Sequence, residues 1–202
     1  MNASNEKKIK KQSQKSSFMK GLLEQVELIV VFFAIIILIF SFACRSCVVD
    51  GDSMLKTLHN GERVIVWDLF YEPDYNDIVV IHESGDLNKP IVKRVIGLPG
   101  DAVEFEHFSN GMTVTITHSD GTIEVLDEDY VNYDLSYGNL GRYQRIDENK
   151  NRYVVSEGEI FVMGDNRLNS LDSRELGCVD SRLVLGKVVL RFMPFDKFGT
   201  VK

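Results

Sequence analysis

From Leu28 to Cys44 the chain reads LIVVFFAIIILIFSFAC, 17 residues without a charge. As a helix rising 1.5 Å per residue this run is about 26 Å long, slightly short of a roughly 30 Å hydrocarbon core. Leu22, Leu23 and Val26 extend it and place Glu24 and Glu27 near the headgroups. A buried core helix is not so uniformly apolar for so long. The pattern predicts one transmembrane helix over 22–44.

Beyond residue 45 the period changes. Short β-branched runs recur at RVIVW (63–67), DIVVI (77–81), PIVKRVIG (90–97), MTVTIT (112–117), TIEVL (122–126), EIFVMG (159–164) and KVVLRF (187–192). Turn residues separate them, and Ser119-Asp120-Gly121 marks a hairpin between two of the runs. With no amphipathic helix pattern among these runs, the body is expected to be mainly β, in antiparallel sheets or a barrel. Residues 127–152 are polar and weakly periodic and read as a loop-rich insertion. Their Tyr130, Tyr133, Tyr137 and Tyr143 either line a groove or pin the loop to the sheet.

Charge gives this layout a direction. The whole chain carries −7, yet residues 1–27 hold six Lys against three Glu, and 45–202 hold 17 basic against 27 acidic residues. The Lys-rich end is expected in the cytoplasm and the body on the far side of the membrane. A body of that acidity argues against a nucleic-acid partner, because phosphate binding needs a basic surface. A cleaved signal peptide is the rival for the apolar run, since Ser41-Phe42-Ala43 is a small-x-small triplet before Cys44. Its 17 uncharged residues exceed the usual apolar region of such peptides and favour a retained anchor. Cys44 and Cys47 either form a disulfide in an oxidising exterior or are two small residues at the boundary, with Cys178 a buried thiol.

No metal-ligand spacing joins His59, His82, His107 and His118, and no glycine-rich phosphate loop occurs, so neither metal nor cofactor is expected. Three segments carry candidate chemistry. In VVDGDSMLKTLHNGERVIV (48–66), Ser53 stands in a Gly- and Asp-bearing turn, where a hydroxyl can be presented and its backbone amide can bind an oxyanion. In PIVKRVIGLPGD (90–101), strand alternation puts Ile91, Lys93 and Val95 on one face and Val92, Arg94 and Ile96 on the other. A lysine on a buried face is desolvated and can act as a general base; on an edge strand it snorkels to water instead. In GDNRLNSLDSR (164–174), Asp165, Arg167, Asp172 and Arg174 either form a salt-bridged scaffold or an exposed polar loop.

Taken in this order after an anchor, GDSM…TL, KR-VIGLPGD and GDNR-NS-DSR resemble the type I signal peptidases, or leader peptidases. The resemblance covers the anchor and essentially the whole outer domain, with 102–155 in the family's variable region. It implies an antiparallel β catalytic domain on a single N-terminal transmembrane helix, and a serine endopeptidase that cuts signal peptides from exported preproteins after small residues at −1 and −3. It also favours the retained anchor. Carried over by residue, Ser53 would be the nucleophile and Lys93 the general base. Ser170 would orient the lysine by a hydrogen bond, and Asp172 with Arg174 and Asp165 with Arg94 would be supporting polar pairs. The expected layout is a cytoplasmic tail (1–21), a membrane helix (22–44) and an extracytoplasmic peptidase domain (45–202), with preproteins and lipid as partners. Ser53 stands nine residues after Cys44, within about 30 Å of the helix end along the chain.

Two positions depart from the family pattern. Lys56 stands where Pro is usual, so the turn loses a φ constraint, and Lys56→Pro is expected to leave activity intact or raise it. Gly51 stands where some members place a second oxyanion-hole hydroxyl. Two rival readings remain beside the peptidase. One is Ser53-Met54-Leu55-Lys56 as the S-x-x-K of penicillin-recognising enzymes, which lacks its KTG partner. The other is an anchored β domain that has lost activity.

Overall fold

The computed structural model describes residues 3–82, 89–108, 111–133 and 151–201. The chain forms two units, residues 1–43 and 44–202. The first is helix α1, Ala3–Ala43. Within it Met19–Ser41, 23 residues with a mean hydropathy of 2.6, is long and apolar enough to cross a membrane. The helix ends one residue earlier than expected, because Cys44 opens a strand.

The second unit is mainly β. Its strands are β1 (Cys44–Val48), β2 (Arg63–Trp67), β3 (Ile78–Ile81), β4 (Ile91–Gly97), β5 (Ala102–Phe108), β6 (Gly111–Thr117), β7 (Ile123–Val125), β8 (Arg152–Val154), β9 (Glu159–Met163), β10 (Val179–Asp180), β11 (Val184–Met193) and β12 (Gly199–Thr200). A one-turn helix, α2 (Ser173–Leu176), precedes β10. The larger sheet runs β1-β2-β11-β3-β4-β9-β10, with β12 beside β11, and the smaller runs β7-β6-β5-β8. Neighbouring strands pair antiparallel throughout.

Every β-branched run singled out in the sequence is a strand. The 119–121 turn closes the β6–β7 hairpin, with Gly121 N–H donating to the His118 carbonyl at 2.9 Å. The small sheet buries Val103 and Phe105 of β5, Val114 and Ile116 of β6 and Tyr153 of β8 against Ile96, Phe161 and Met163 of the large one. Alternation produces this: Val103 and Phe105 point inward, while Glu104 and Glu106 are more accessible. Strand β5 adds to the runs expected from the sequence, and of the loop-rich stretch read at 127–152, residues 134–150 lie outside the described residues. Tyr133 pins that stretch to β6, donating from Oη to the Met112 carbonyl at 2.8 Å; Tyr137 and Tyr143 lie outside the described residues.

β4 is a central strand between β3 and β9, which removes the edge-strand alternative for Lys93. Lys93 lies opposite Val79 in the β3 register and is only 2% exposed. Cys44 and Cys47 are free thiols. Three positions apart on one extended strand, their Cα atoms are about 10 Å from each other, too far for a disulfide.

Candidate active site

Residues 49–62 form a closed loop between β1 and β2. Val49 N–H donates to the Glu62 carbonyl at 2.9 Å, and Gly61 N–H to the Val49 carbonyl at 2.8 Å. Inside it the chain makes a helical turn: Leu55 N–H bonds the Asp52 carbonyl at 3.2 Å and Leu58 N–H the Met54 carbonyl at 2.7 Å. Met54 and Leu58 fix this turn by packing into the core with Val64, Val66, Ile78 and Val80. Ser53 is thereby presented at the head of an anchored turn, half-buried. Its Oγ lies 2.8 Å from Nζ of Lys93. Lys93 Nζ also donates to the Val92 carbonyl at 3.0 Å.

Around this contact lies a buried ionic scaffold. Arg94 donates from Nε and Nη2 to the two Asp165 oxygens at 2.9 and 2.7 Å, and each residue is 1–2% exposed. Thr57 adds a hydroxyl bond to Asp165 at 2.5 Å, tying the serine turn to the same carboxylate. Arg174 grips Asp172 in the same bidentate way, at 2.8 and 2.9 Å. Asp172 also accepts from Gly164 N–H at 3.0 Å and caps α2. Burial alone would raise the Asp172 carboxyl, but the Arg174 guanidinium and these donors hold it down at about 2. The polar 164–174 segment is thus a scaffold and not an exposed loop.

Arg167 pairs elsewhere than expected. Its guanidinium meets both oxygens of Glu128, one at 2.7 Å. Burial opposes the Arg167 charge, and Glu128 more than offsets this. Tyr130, two residues on, lays its ring over Arg94 with the guanidinium carbon 3.9 Å from the ring centroid. Glu128 escaped the sequence reading because one acidic residue in a polar stretch carries no spacing signal. Tyr130 was singled out, but not as a lid on Arg94.

Ser170 is buried beside Asp172, whose carboxyl its hydroxyl helps to hold down, and the expected bond from Ser170 Oγ to Lys93 is not formed in this conformation. It packs instead on the Gly164 backbone: a Cβ at Gly164 would fall 2.2 Å from Ser170 Oγ and 2.5 Å from the Ser53 carbonyl oxygen.

Lys56 overturns an expectation. Its φ is +87°, and its Nζ reaches out to the carbonyls of Asp129 and Val131. Proline is locked near −65° and cannot adopt that φ. The lysine is therefore no loosened proline but a left-handed residue that ties the serine turn to the 128–133 segment. Gly51 likewise sits at φ +102°, so a serine there would strain the turn before it could add a hydroxyl.

A mainly β body that sets a hydroxyl against a buried amine matches a known class. The family described as "Signal peptidase, peptidase S26" matches residues 22–193. The chain is 35% identical over 192 residues to signal peptidase IB of Staphylococcus aureus, spanning 89% of this chain and 93% of that protein. It is 36% identical over 192 residues to signal peptidase I S of Bacillus subtilis, spanning 92% and 96%. A crystal structure of a signal peptidase I from Enterococcus faecalis is 28% identical, with a TM-score of 0.41, covering 59% of this chain and 98% of that one.

The class is that of serine endopeptidases. The chain belongs to the S26 signal peptidase family, whose members remove signal peptides.

Two outcomes follow from this geometry. Lys56→Pro should lower the thermal midpoint, by more than about 1 kcal/mol in stability, and reduce cleavage; a proline variant as stable and active as the parent would contradict the left-handed turn. The Asp172 carboxyl is depressed on folding, so its stabilisation is complete above its unfolded value of about 3.9 and is lost as pH falls towards 2. Denaturant midpoints should drop over that acid window in the parent and less so in Asp172→Asn.

Proposed function

We propose that Ser53 is the nucleophile and Lys93 the general base of a signal peptidase held in the membrane by α1. The observation that carries this reading is the 2.8 Å approach of Lys93 Nζ to Ser53 Oγ, with the lysine 2% exposed on a central strand. Burial favours the uncharged amine, and only the uncharged amine accepts a proton.

Neutral Lys93 takes the Ser53 proton as Oγ bonds to the carbonyl carbon of the −1 residue. The Ser53 N–H stabilises the resulting oxyanion. The Lys93 ammonium then gives its proton to the leaving amine as the C–N bond breaks, leaving an ester on Ser53. Lys93 next deprotonates a water that attacks this ester, and the serine hydroxyl is restored. Asp165 with Arg94 and Asp172 with Arg174 hold the two segments in place. Ser170, which packs with the Ser53 carbonyl against Gly164, orients the lysine once substrate fills the site.

Residues 1–21 form the cytoplasmic tail, 22–43 the retained anchor and 44–202 the extracytoplasmic domain, in line with the Lys-rich start. Preproteins whose signal helices share the bilayer are the substrates, cut after small −1 and −3 residues. The S-x-x-K reading is disfavoured, because the Lys56 amine is directed to the carbonyls of Asp129 and Val131.

The test is cleavage of a peptide with Ala at −1 and −3 by full-length protein extracted from membranes in detergent, with residues 1–43 still attached by mass. Ser53→Ala and Lys93→Ala should each lose about a thousandfold or more. Lys93→Arg should not recover activity, since a guanidinium stays protonated. A folded Lys93→Ala that turns over while Lys56→Ala is dead would move the base to Lys56.

A further inference from the structure

We infer that Asn166 aims the oxyanion-binding amide by fixing the peptide plane between Asp52 and Ser53, an inference that rests on Ser53 being the nucleophile. Asn166 is fully buried. Its side-chain Nδ2 donates to the Asp52 carbonyl at 3.0 Å, and its backbone N–H donates to the Ser53 carbonyl at 3.0 Å. One residue therefore holds both peptide units that flank the Ser53 Cα.

The geometric consequence is direct. A trans peptide is planar, so its C=O and N–H point in opposite directions. Pinning the Asp52 carbonyl on Asn166 turns the Ser53 N–H to the other side of the chain. Among the described residues that N–H makes no hydrogen bond, so it is available to a developing oxyanion. Leu55 N–H shares the Asp52 carbonyl at 3.2 Å and helps to lock the plane.

Two further observations point the same way. Asn166 Oδ1 is buried without a hydrogen-bond partner among the described residues. An orphaned buried acceptor forfeits its hydration without return, so the amide sits there at the expense of stability and only its donor half is used. The approach is also close: a Cβ at Gly164 would lie 2.5 Å from the Ser53 carbonyl oxygen, so the 164–166 segment leaves the serine backbone no slack. With Gly51 supplying no hydroxyl, the Ser53 amide is the oxyanion donor whose aim matters most.

The test uses full-length protein in detergent, the same peptide, and a peptide aldehyde with Ala at −1 and −3. The Ser53 hydroxyl adds to this aldehyde to give a hemiacetal whose oxygen occupies the oxyanion position. Asn166→Ala and the nearly isosteric Asn166→Asp should lower kcat about 10- to 100-fold with KM almost unchanged, and should weaken the aldehyde by the same factor. Peptide binding to Ser53→Ala should not change when Asn166 is replaced as well. Asn166 variants that keep kcat within twofold, or that weaken peptide and aldehyde equally, would overturn the inference while leaving the nucleophile intact. A Ser53→Ala that still cleaves, or an aldehyde that binds it as well as the parent, would instead overturn the nucleophile assignment.

Should neither variant fold, the parent chain still decides. With 13C at its Asp carbonyls, the infrared band lost in Asp52→Glu reports the Asp52 carbonyl. That band should keep its hydrogen-bonded frequency when the aldehyde binds, and a move to the unbonded frequency would refute the clamp.

Discussion

A single carboxylate, that of Asp165, joins three parts of the chain that chemistry requires together. It receives the Arg94 guanidinium from the strand that carries Lys93 and the Thr57 hydroxyl from the turn that carries Ser53. Its own backbone carbonyl receives the Asn132 N–H at 2.8 Å. Taking a carboxylate and a guanidinium out of water is costly unless each is fully bonded. This arrangement is correspondingly exacting: removing one partner strands the other in the core. The ion pair is thus less a source of net stability than a device that allows one arrangement of β4 against the serine turn. Asp172 and Arg174 do the same for the backbone at Gly164, and Glu128 with Arg167 fastens the next segment over them.

The contrast between the two lysines near Ser53 follows from this frame. Lys93 is enclosed by a central strand, whereas Lys56 is exposed and spends its amine on backbone carbonyls. Sequence spacing alone offered both as bases. What separates them is burial: Ile91 and Val95 on its face suggested it for Lys93, and the central place of β4 in the sheet decides it.

Much of the fold was legible because period-2 alternation survives wherever one sheet face is buried, as in RVIVW and MTVTIT. Strand β5 shows the same alternation in Val103, Glu104, Phe105 and Glu106, but its glutamates make it less rich in β-branched residues than the runs singled out. β1, CRSCV, carries no such pattern, since it is an edge strand with little buried surface. The spacing of GDNRLNSLDSR left a scaffold and an exposed loop equally open, whereas the pairs Asp172–Arg174 and Asp165–Arg94 came with the family resemblance and are the ones formed. Arg167 turns to Glu128 and not to a neighbour, a long-range choice that local spacing does not encode. The positive φ at Lys56 was equally hidden, because lysine has no special preference for that region and the turn imposes it. Asn166 went unweighed for a related reason: its bonds go to backbone atoms, which leave no trace in residue identity.

The central claim is that an uncharged amine at Lys93, and no imidazole, takes the proton of Ser53. The most direct measurement is kcat/KM for the small-residue peptide from acid to alkaline pH, on the parent and on a variant with all four histidines replaced. Proton acceptance by Lys93 predicts a rate that climbs with pH as one group deprotonates, with the same profile in both proteins. A profile set by a group near the ordinary histidine value of about 6.5, and abolished in the histidine-free variant, would contradict it.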